Sequence, residues 1–103
     1  MVIAEVNIIP LGTKTPSVSK HLARALRILR EEKNIKYELT SMGTIIEGDL
    51  GDILRVVRNM HESIFDGKVM RVATTIKIDD RRDKTLSTSG KIESILKELR
   101  HQP

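Results

Sequence analysis

The sequence contains no cysteine and no tryptophan, and its aromatic residues are limited to Tyr37 and Phe65. Without cysteine, the chain has no disulfide framework, no thiolate site for zinc or an iron–sulfur cluster, and no cysteine nucleophile. Aromatic residues at 2% of the chain also leave few stacking surfaces for single-stranded nucleic acids. Sulfur redox chemistry is therefore excluded, and nucleic acid is not an expected partner.

Long hydrophobic runs and a recognisable targeting segment are also missing. The opening, MVIAEVNIIPLG, has no basic region and is interrupted by Glu5 and Asn7. No apolar run in the chain approaches the roughly 20 residues that a membrane-spanning helix requires. We therefore expect a cytoplasmic protein with no membrane partner.

The composition that remains is that of one globular domain over residues 1–103. Hydrophobic residues make up 39% of the chain, and 18 Lys+Arg against 14 Asp+Glu give a mild net charge of +4. A core of this size with so few aromatic residues is thin, and small cores are often supplemented by association with other copies. We expect a homo-oligomer.

Hydrophobic periodicity predicts four strands and three helices. The strands are predicted over 2–9, 37–40, 44–48 and 69–78. One helix is predicted from near residue 16 to near Asn34, one from an Asp49 N-cap to a point before Gly67, and a last one from near Ser87. The order β-α-β-β-α-β plus a terminal helix predicts an α+β, ferredoxin-like domain, with an antiparallel sheet and both crossover helices on one face.

The two faces of the predicted sheet differ in polarity. One face is apolar and should pack on the helices, while the other is mixed and includes isoleucine, which is costly to expose in the middle of a sheet. We expect the mixed face to pack on another subunit or to line a ligand pocket. Its predicted members are Ile3, Glu5, Asn7, Ile9, Ile45, Glu47, Ala73, Thr75 and Lys77.

The segment GTIIEGD, residues 43–49, contains the candidate ligand-binding residues Thr44 and Glu47. A partly desolvated carboxylate accepts strongly from N–H donors, so Glu47 could bind a cationic or donor-bearing ligand. Glu5 and Asn7 could join it, because the central strands of this fold are neighbours. The alternative is a solvated strand glutamate. The set is more typical of a binding site than of a reaction centre.

Catalytic and metal-binding patterns are not found. His21, His61 and His101 lack metal-ligand spacing and are expected at the surface, and serines at helix starts or turns are explained by capping. We expect no catalytic residue, no metal and no cofactor. Arg81 and Arg82, in the segment DDRRDK, could bind an anion through their guanidinium groups, although such a loop is more often only solvated.

Several segments together resemble the small thiamine-binding proteins of ferredoxin-like fold that are found in archaea, bacteria and yeast and were long uncharacterised. The resemblance covers most of the chain. It rests on the first strand ending in Pro10, the helix opening near Ser17, Lys36-Tyr37-Glu38, Met42-Gly43-Thr44, Ile46-Glu47-Gly48, His61-Glu62, Arg71-Val72, and Ile76-Lys77-Ile78-Asp79 to Arg81.

This resemblance implies a domain without catalytic activity that binds thiamine or its hydroxymethylpyrimidine part, in dimers that pair into a tetramer. It also implies Thr44 and Glu47 as ligand contacts, with Asn7 and Tyr37 as further candidates. A carboxylate and a hydroxyl suit the donors and ring-nitrogen acceptors of an aminopyrimidine. If Arg81 and Arg82 approach the pocket, a phosphorylated ligand is expected. The alternative function is a structural or regulatory oligomerisation module without a small-molecule ligand.

Overall fold

The computed structural model describes residues 1–13, 19–83 and 88–101. Its elements, in chain order, are β1 (Val2–Leu11), α1 (Ser19–Arg30), β2 (Lys36–Thr40), β3 (Gly43–Gly48), α2 (Leu50–Ile64), β4 (Arg71–Asp80) and α3 (Thr88–His101). The predicted order is confirmed, and with it the α+β, ferredoxin-like class with an added C-terminal helix. The predicted helix starts near residues 16 and 87 lie outside the described residues.

Three predicted elements have the wrong bounds. The first strand continues through Pro10 to Leu11 rather than ending at residue 9. The first helix ends at Arg30 rather than near Asn34, and the Glu32 N–H donates to the carbonyl of Leu29 in a tighter turn. The fourth strand runs from 71 to 80 rather than from 69 to 78. Its length is set by β1, because pairing extends without a break from Val2↔Asp80 to Leu11↔Arg71.

The sheet has the strand order β2-β3-β1-β4, and every neighbouring pair is antiparallel. β1 is therefore central, between β3 and β4. Ala4 lies opposite Ile46 on one side and Ile78 on the other, so residues with even numbers in these strands share one face. This face is the one that packs on α1 and α2.

The core lies between that sheet face and the two crossover helices. Even-numbered β1 residues are buried and odd-numbered ones are partly or fully exposed, as a half-buried strand requires. The largest fully buried side chains come from α1, β3 and α2, namely Leu29, Ile46, Ile53, Ile64 and Val56. Burial of aliphatic groups is worth roughly 25 cal/mol per Å² of apolar surface, so these contacts stabilise the stacking of helices on sheet.

Asp49 occupies the N-cap position of α2, as predicted, but its side chain makes no capping hydrogen bond. The carbonyl oxygen of Asp49 instead accepts the first helical bond, from the N–H of Ile53 at 2.9 Å. The expected side-chain cap is therefore wrong, and the start of α2 is fixed by burial of Ile53 against the sheet rather than by the Asp49 carboxylate.

Asp66 organises the turn between α2 and β4. One of its carboxylate oxygens accepts the backbone N–H groups of Lys68 and Val69, each at 3.0 Å, and the other accepts Arg24 Nη1 at 3.3 Å. Arg24 Nη2 also donates to the carbonyl of Ile64 at 3.1 Å, which connects α1 to the end of α2. The hydrogen bonds from these two backbone N–H groups, and to a smaller extent the interaction with Arg24, hold the pKa of Asp66 below its usual value.

Asp66→Asn should lower the free energy of unfolding at neutral pH, and the loss should shrink as the solution is acidified. A carboxylate whose native pKa is depressed stabilises the fold above its unfolded pKa of about 4 and loses that contribution as pH falls through the lower native pKa. Urea denaturation at several pH values measures the difference. Asp49→Asn is the matched control. If the free energy of unfolding lost in Asp66→Asn stays constant down to strongly acidic pH, the Asp66 carboxylate does not have the depressed pKa assigned to it.

α3 lies apart from the two crossover helices and lengthens the molecule. The radius of gyration is 15.9 Å and the longest dimension is 54 Å, whereas a compact domain of this length has a radius of about 13 Å. The apolar side chains that were predicted to share one face of this helix are all exposed, namely Ile92, Ile95, Leu96 and Leu99. The helix therefore carries an apolar stripe that is largely exposed.

Candidate functional site

The sheet face turned away from α1 and α2 carries the predicted mixed set of side chains. Glu47 lies beside Ile3, which in turn lies beside Asp79. In the next row, Ile45 lies beside Glu5, and Glu5 lies beside Lys77. Carboxylates, an amine and isoleucines thus alternate across three strands, as the sequence predicted for this face.

The first half of α3 covers part of this face and creates a cleft, which we call the α3 cleft. It encloses about 310 Å³ and is lined by Lys36, Tyr37, Glu38, Ile45, Glu47, Ser89 and Ile92. A second hollow of similar size shares Ile45 and Ile92 and is lined further by Ile3, Ala4, Glu5, Lys77, Asp79, Lys91 and Ile95. Lys91 Nζ lies 2.6 Å from Asp79 Oδ2, which ties α3 to β4.

The predicted ligand residues divide between two places. Glu47 and Tyr37 line the α3 cleft. Thr44 lies opposite Val6 and therefore faces α1 and α2, on the other side of the sheet from Glu47. Thr44 and Asn7 line a separate hollow of about 310 Å³, which we call the hairpin cleft. The structure does not bring all four residues into one pocket.

The hairpin cleft lies between the β2–β3 turn and the helices. Leu22, Ala25 and Leu26 of α1 form one wall, and residues 39–44 form the other. At the turn, Thr40 Oγ1 donates to the Gly43 carbonyl at 2.7 Å and accepts the Met42 N–H at 3.2 Å. These bonds hold the turn so that the Met42 side chain is 78% exposed.

Gly43 allows the Asn7 side chain to lie directly against the β3 backbone. A Cβ at position 43 would lie 2.8 Å from Asn7 Oδ1 and 3.1 Å from the Val6 carbonyl oxygen, and the φ angle of Gly43 is +155°. A side chain at this position would therefore displace Asn7 and strain the turn. Asn7 is on the same sheet face as Glu5 and Glu47, because it lies opposite Thr75 while Glu5 lies opposite Lys77.

Arg81 and Arg82, the predicted anion-binding residues, are each paired with a nearby carboxylate. Arg81 Nε donates to Asp83 Oδ1 at 2.6 Å, and Arg82 Nη2 donates to Asp80 Oδ2 at 3.0 Å. These bonds raise the pKa of both guanidinium groups above the usual arginine value. Both arginines border a shallow hollow with Met1, Val2, Asp49 and Leu50, away from the residues that line the α3 cleft.

His21 and His61 are partly exposed, and each has a polar contact that the sequence did not predict. His21 Nδ1 lies 2.8 Å from Arg24 Nη2, and because arginine only donates, this histidine nitrogen accepts. His61 Nδ1 lies 2.6 Å from Thr74 Oγ1, and its ring meets Phe65 edge-on. The His61 contact joins α2 to β4, whereas the His21 contact lies within α1. The side chain of His101 lies outside the described residues.

Sequence reasoning missed the part that α3 takes in the site. Ile92 and Lys91 come from a helix whose placement no local pattern reveals, and both lie over the mixed sheet face. The one available signal in the sequence was the row of isoleucines on that face, which indicated that another structural element packs on it. Among residues 1–13, 19–83 and 88–101, no three His, Cys, Asp or Glu side chains are placed to hold a metal ion.

These features define a small ferredoxin-like domain with a polar cleft on the sheet face opposite its crossover helices. Residues 4–96 match the family described as Thiamine-binding protein, and the chain belongs to that family. In the part of the chain that the structure describes, no helix has the length and apolar character needed to cross a membrane.

Relatives and solved structures agree with this assignment. The UPF0045 protein YqgV of Bacillus subtilis is 51% identical over 102 residues, covering 96% of this chain and 98% of that protein. A solved structure of a hypothetical protein from Methanocaldococcus jannaschii has a TM-score of 0.82 at 40% identity and covers 91% of this chain and 94% of that one. A putative thiamine biosynthesis/salvage protein from Thermotoga maritima shares the fold, with a TM-score of 0.74 at 17% identity over 91% of this chain and 97% of its own.

Proposed function

We propose that this protein binds thiamine or its hydroxymethylpyrimidine part in the α3 cleft, with Glu47 as the principal polar contact. The observation that carries the proposal is the position of Glu47, half-buried in a cleft between the sheet and α3. Membership of the thiamine-binding family supports the ligand class. In this proposal the protein acts in the cytoplasm, as expected from the sequence.

The chemistry of the cleft fits the two halves of thiamine. An aminopyrimidine offers N–H donors that a carboxylate accepts strongly, and Glu47 supplies that carboxylate. Ile45 and Ile92 supply apolar walls, and Tyr37 lies at the opening, 40% exposed. Glu5, in the adjoining hollow, would attract the positive charge of a thiazolium ring.

Thr44 and Asn7 have a different place in the proposal, because they line the hairpin cleft. Asn7 shares the sheet face of Glu47, one row beyond Glu5, and its amide could reach a ligand that extends along β1. Thr44 faces the helices. If Thr44 also contacts the ligand, that ligand occupies the hairpin cleft or a second molecule binds there.

We further propose that binding takes place without catalysis and in an assembly of two dimers. His21 and His61, which could otherwise act as a general base, are engaged with Arg24 and Thr74. The exposed apolar stripe of α3 supports association, since contiguous apolar surface on a small protein marks an interaction site. A module that only oligomerises, without a ligand, is the competing function.

Isothermal titration with thiamine, and in parallel with hydroxymethylpyrimidine, tests the proposal. We expect saturable binding at a fixed ratio per subunit, with light scattering reporting the number of subunits. Binding of hydroxymethylpyrimidine alone would assign recognition to the pyrimidine half. If neither compound produces heat and neither raises the melting temperature, the ligand proposal is wrong and the oligomerisation module is favoured.

A phosphorylated ligand would have to draw Arg81 and Arg82 away from Asp83 and Asp80. Such exposed pairs are worth little, so a phosphate could compete with them. If the arginines bind the phosphate, combining Arg81→Ala with Arg82→Ala should leave thiamine affinity unchanged and weaken the affinity for thiamine phosphate. Equal affinities for thiamine phosphate in the variant and the parent would remove both arginines from the site.

A further inference from the structure

Charged side chains of opposite sign lie next to one another in the α3 cleft. Lys36 of β2 is directly opposite Glu47 of β3, and Glu38 is opposite Ile45 in the next row. All four residues line the cleft. Residues directly opposite one another in an antiparallel pair have Cβ atoms about 4.5–5.5 Å apart. An ammonium group and a carboxylate are therefore presented side by side to a ligand in the cleft.

Lys36 is the one cation among the described residues that line the α3 cleft. Lys91, further along α3, is already bonded to Asp79 at 2.6 Å. The first turn of α3 contains Ser89 and no acidic residue, so the positive end of this helix dipole also borders the cleft. Glu38 would repel an anion, which confines an anionic group to the end of the cleft at Lys36.

The pyrimidine half of the ligand in the proposed function carries two substituents on neighbouring ring carbons. One is the amino group, whose N–H donors the Glu47 carboxylate would accept. The other is a methylene, which bears a hydroxyl in hydroxymethylpyrimidine and the thiazolium ring in thiamine. A ring whose amino group is held by Glu47 therefore directs its methylene to one side of Glu47. On one side lies Lys36, and on the other lies Ile3 of β1, with Glu5 in the next row.

We propose that Lys36 makes the α3 cleft selective for the phosphate monoester of hydroxymethylpyrimidine over the free alcohol. The inference rests on the proposed function, in which Glu47 holds the aminopyrimidine. With the methylene directed at β2, the roughly two negative charges of the phosphate meet the Lys36 ammonium group. With the methylene directed at β1, the cationic thiazolium ring of thiamine meets Glu5 instead. The uncharged alcohol gains from neither contact.

The size of the expected preference follows from the kind of bond. Hydrogen bonds between an ammonium group and a phosphate are charge-assisted, and removing such a bond weakens binding about tenfold to a hundredfold. The side chain of Lys36 is exposed, and water lowers the strength of a contact between charges. We therefore expect the ester to bind about tenfold more tightly than the alcohol, at the lower end of that range.

Titration calorimetry with hydroxymethylpyrimidine and with its phosphate ester measures this preference as a ratio of two affinities. In the parent protein the ratio should be about ten in favour of the ester. Lys36→Met keeps an unbranched side chain of similar length and removes the charge, so the ratio should fall to about one. The ratio is the deciding quantity, because any general effect of the substitution on the cleft or on folding affects both ligands and cancels.

Two further variants separate the local charge at position 36 from the net charge of the protein. Lys36→Arg retains a cation on the same strand, so most of the preference for the ester should return. Lys20→Met changes the net charge by the same amount as Lys36→Met. Because Lys20 is exposed on α1, which packs on the other face of the sheet, this variant should keep the ratio of the parent protein.

The possible failures of this inference and of the proposed function have different signatures. Equal affinities of the parent protein for the alcohol and the ester would overturn the role of Lys36 and leave the proposed function intact. A preference that persists in Lys36→Met would also overturn it, and loss of that preference on combining Arg81→Ala with Arg82→Ala would assign the phosphate to those arginines. If neither pyrimidine compound nor thiamine binds, the proposed function is wrong, and the inference falls with it.

Discussion

Ile46→Ala should lower the free energy of unfolding by about 2–5 kcal/mol, the range measured when a large aliphatic side chain is removed from a core. Ile46 lies near the centre of β3 and has no exposed surface. Its side chain is buried between the sheet and the two crossover helices. The cavity left behind cannot readily collapse, because the backbone around it is held by strand pairing on both sides. Urea denaturation of the purified variant measures the loss.

Ile9→Ala is the matched control, since it removes the same atoms from a strand residue that is 51% exposed on the opposite face. In a monomer this change should cost less than about 1 kcal/mol. A cost that grows with protein concentration would show that another copy covers the mixed face. Equal losses in the two variants would contradict the assignment of the core to the helix side.

Glu47→Gln should weaken thiamine binding about tenfold to a hundredfold, which corresponds to about 1.5–3 kcal/mol for a lost charge-assisted hydrogen bond. The substitution keeps the shape of the side chain and removes its negative charge, so the protein should fold as before. Titration calorimetry measures the affinity. Glu62→Gln, on the exposed side of α2, changes the net charge equally and should bind like the parent.

Thr44→Val distinguishes the two clefts, because Thr44 and Glu47 lie on opposite sides of the sheet. We expect this variant to retain its affinity for a ligand in the α3 cleft. Weaker binding in Thr44→Val together with unchanged binding in Glu47→Gln would place the ligand in the hairpin cleft. Unchanged binding in both variants would show that neither residue makes the principal contact.

The order of elements and the faces of β1 could be read from the sequence because both depend on local periodicity. Alternation at 2–9 predicts which side chains of the first strand face the helices, and helical spacing at Ile53, Val57 and Met60 predicts the buried side of α2. Element ends were less predictable. The last residues of β4 are fixed by the length of its partner β1, and the end of α1 by a turn at Leu29.

The candidate site was only partly predictable, for a related reason. A pattern of period two shows that Glu47, Asn7 and Glu5 share a face, and the same pattern puts Thr44 on the other face. The motif resemblance nevertheless grouped Thr44 with Glu47 as ligand contacts, because a shared motif does not show on which face of the sheet each side chain lies. That α3 covers part of the mixed face also depends on contacts between residues far apart in sequence, such as Asp79 with Lys91.

The sequence by itself determined the class of fold, the thiamine-binding family and the mixed character of one sheet face, because each depends on which residue types occur at which spacing. Only the tertiary structure decided that α3 lies over that face, that the candidate ligand residues divide between two clefts, and that β4 is a long exposed edge. Strand neighbours and helix docking are set by contacts between distant segments. Those contacts depend on the free energy of packing the whole chain and leave no local signature.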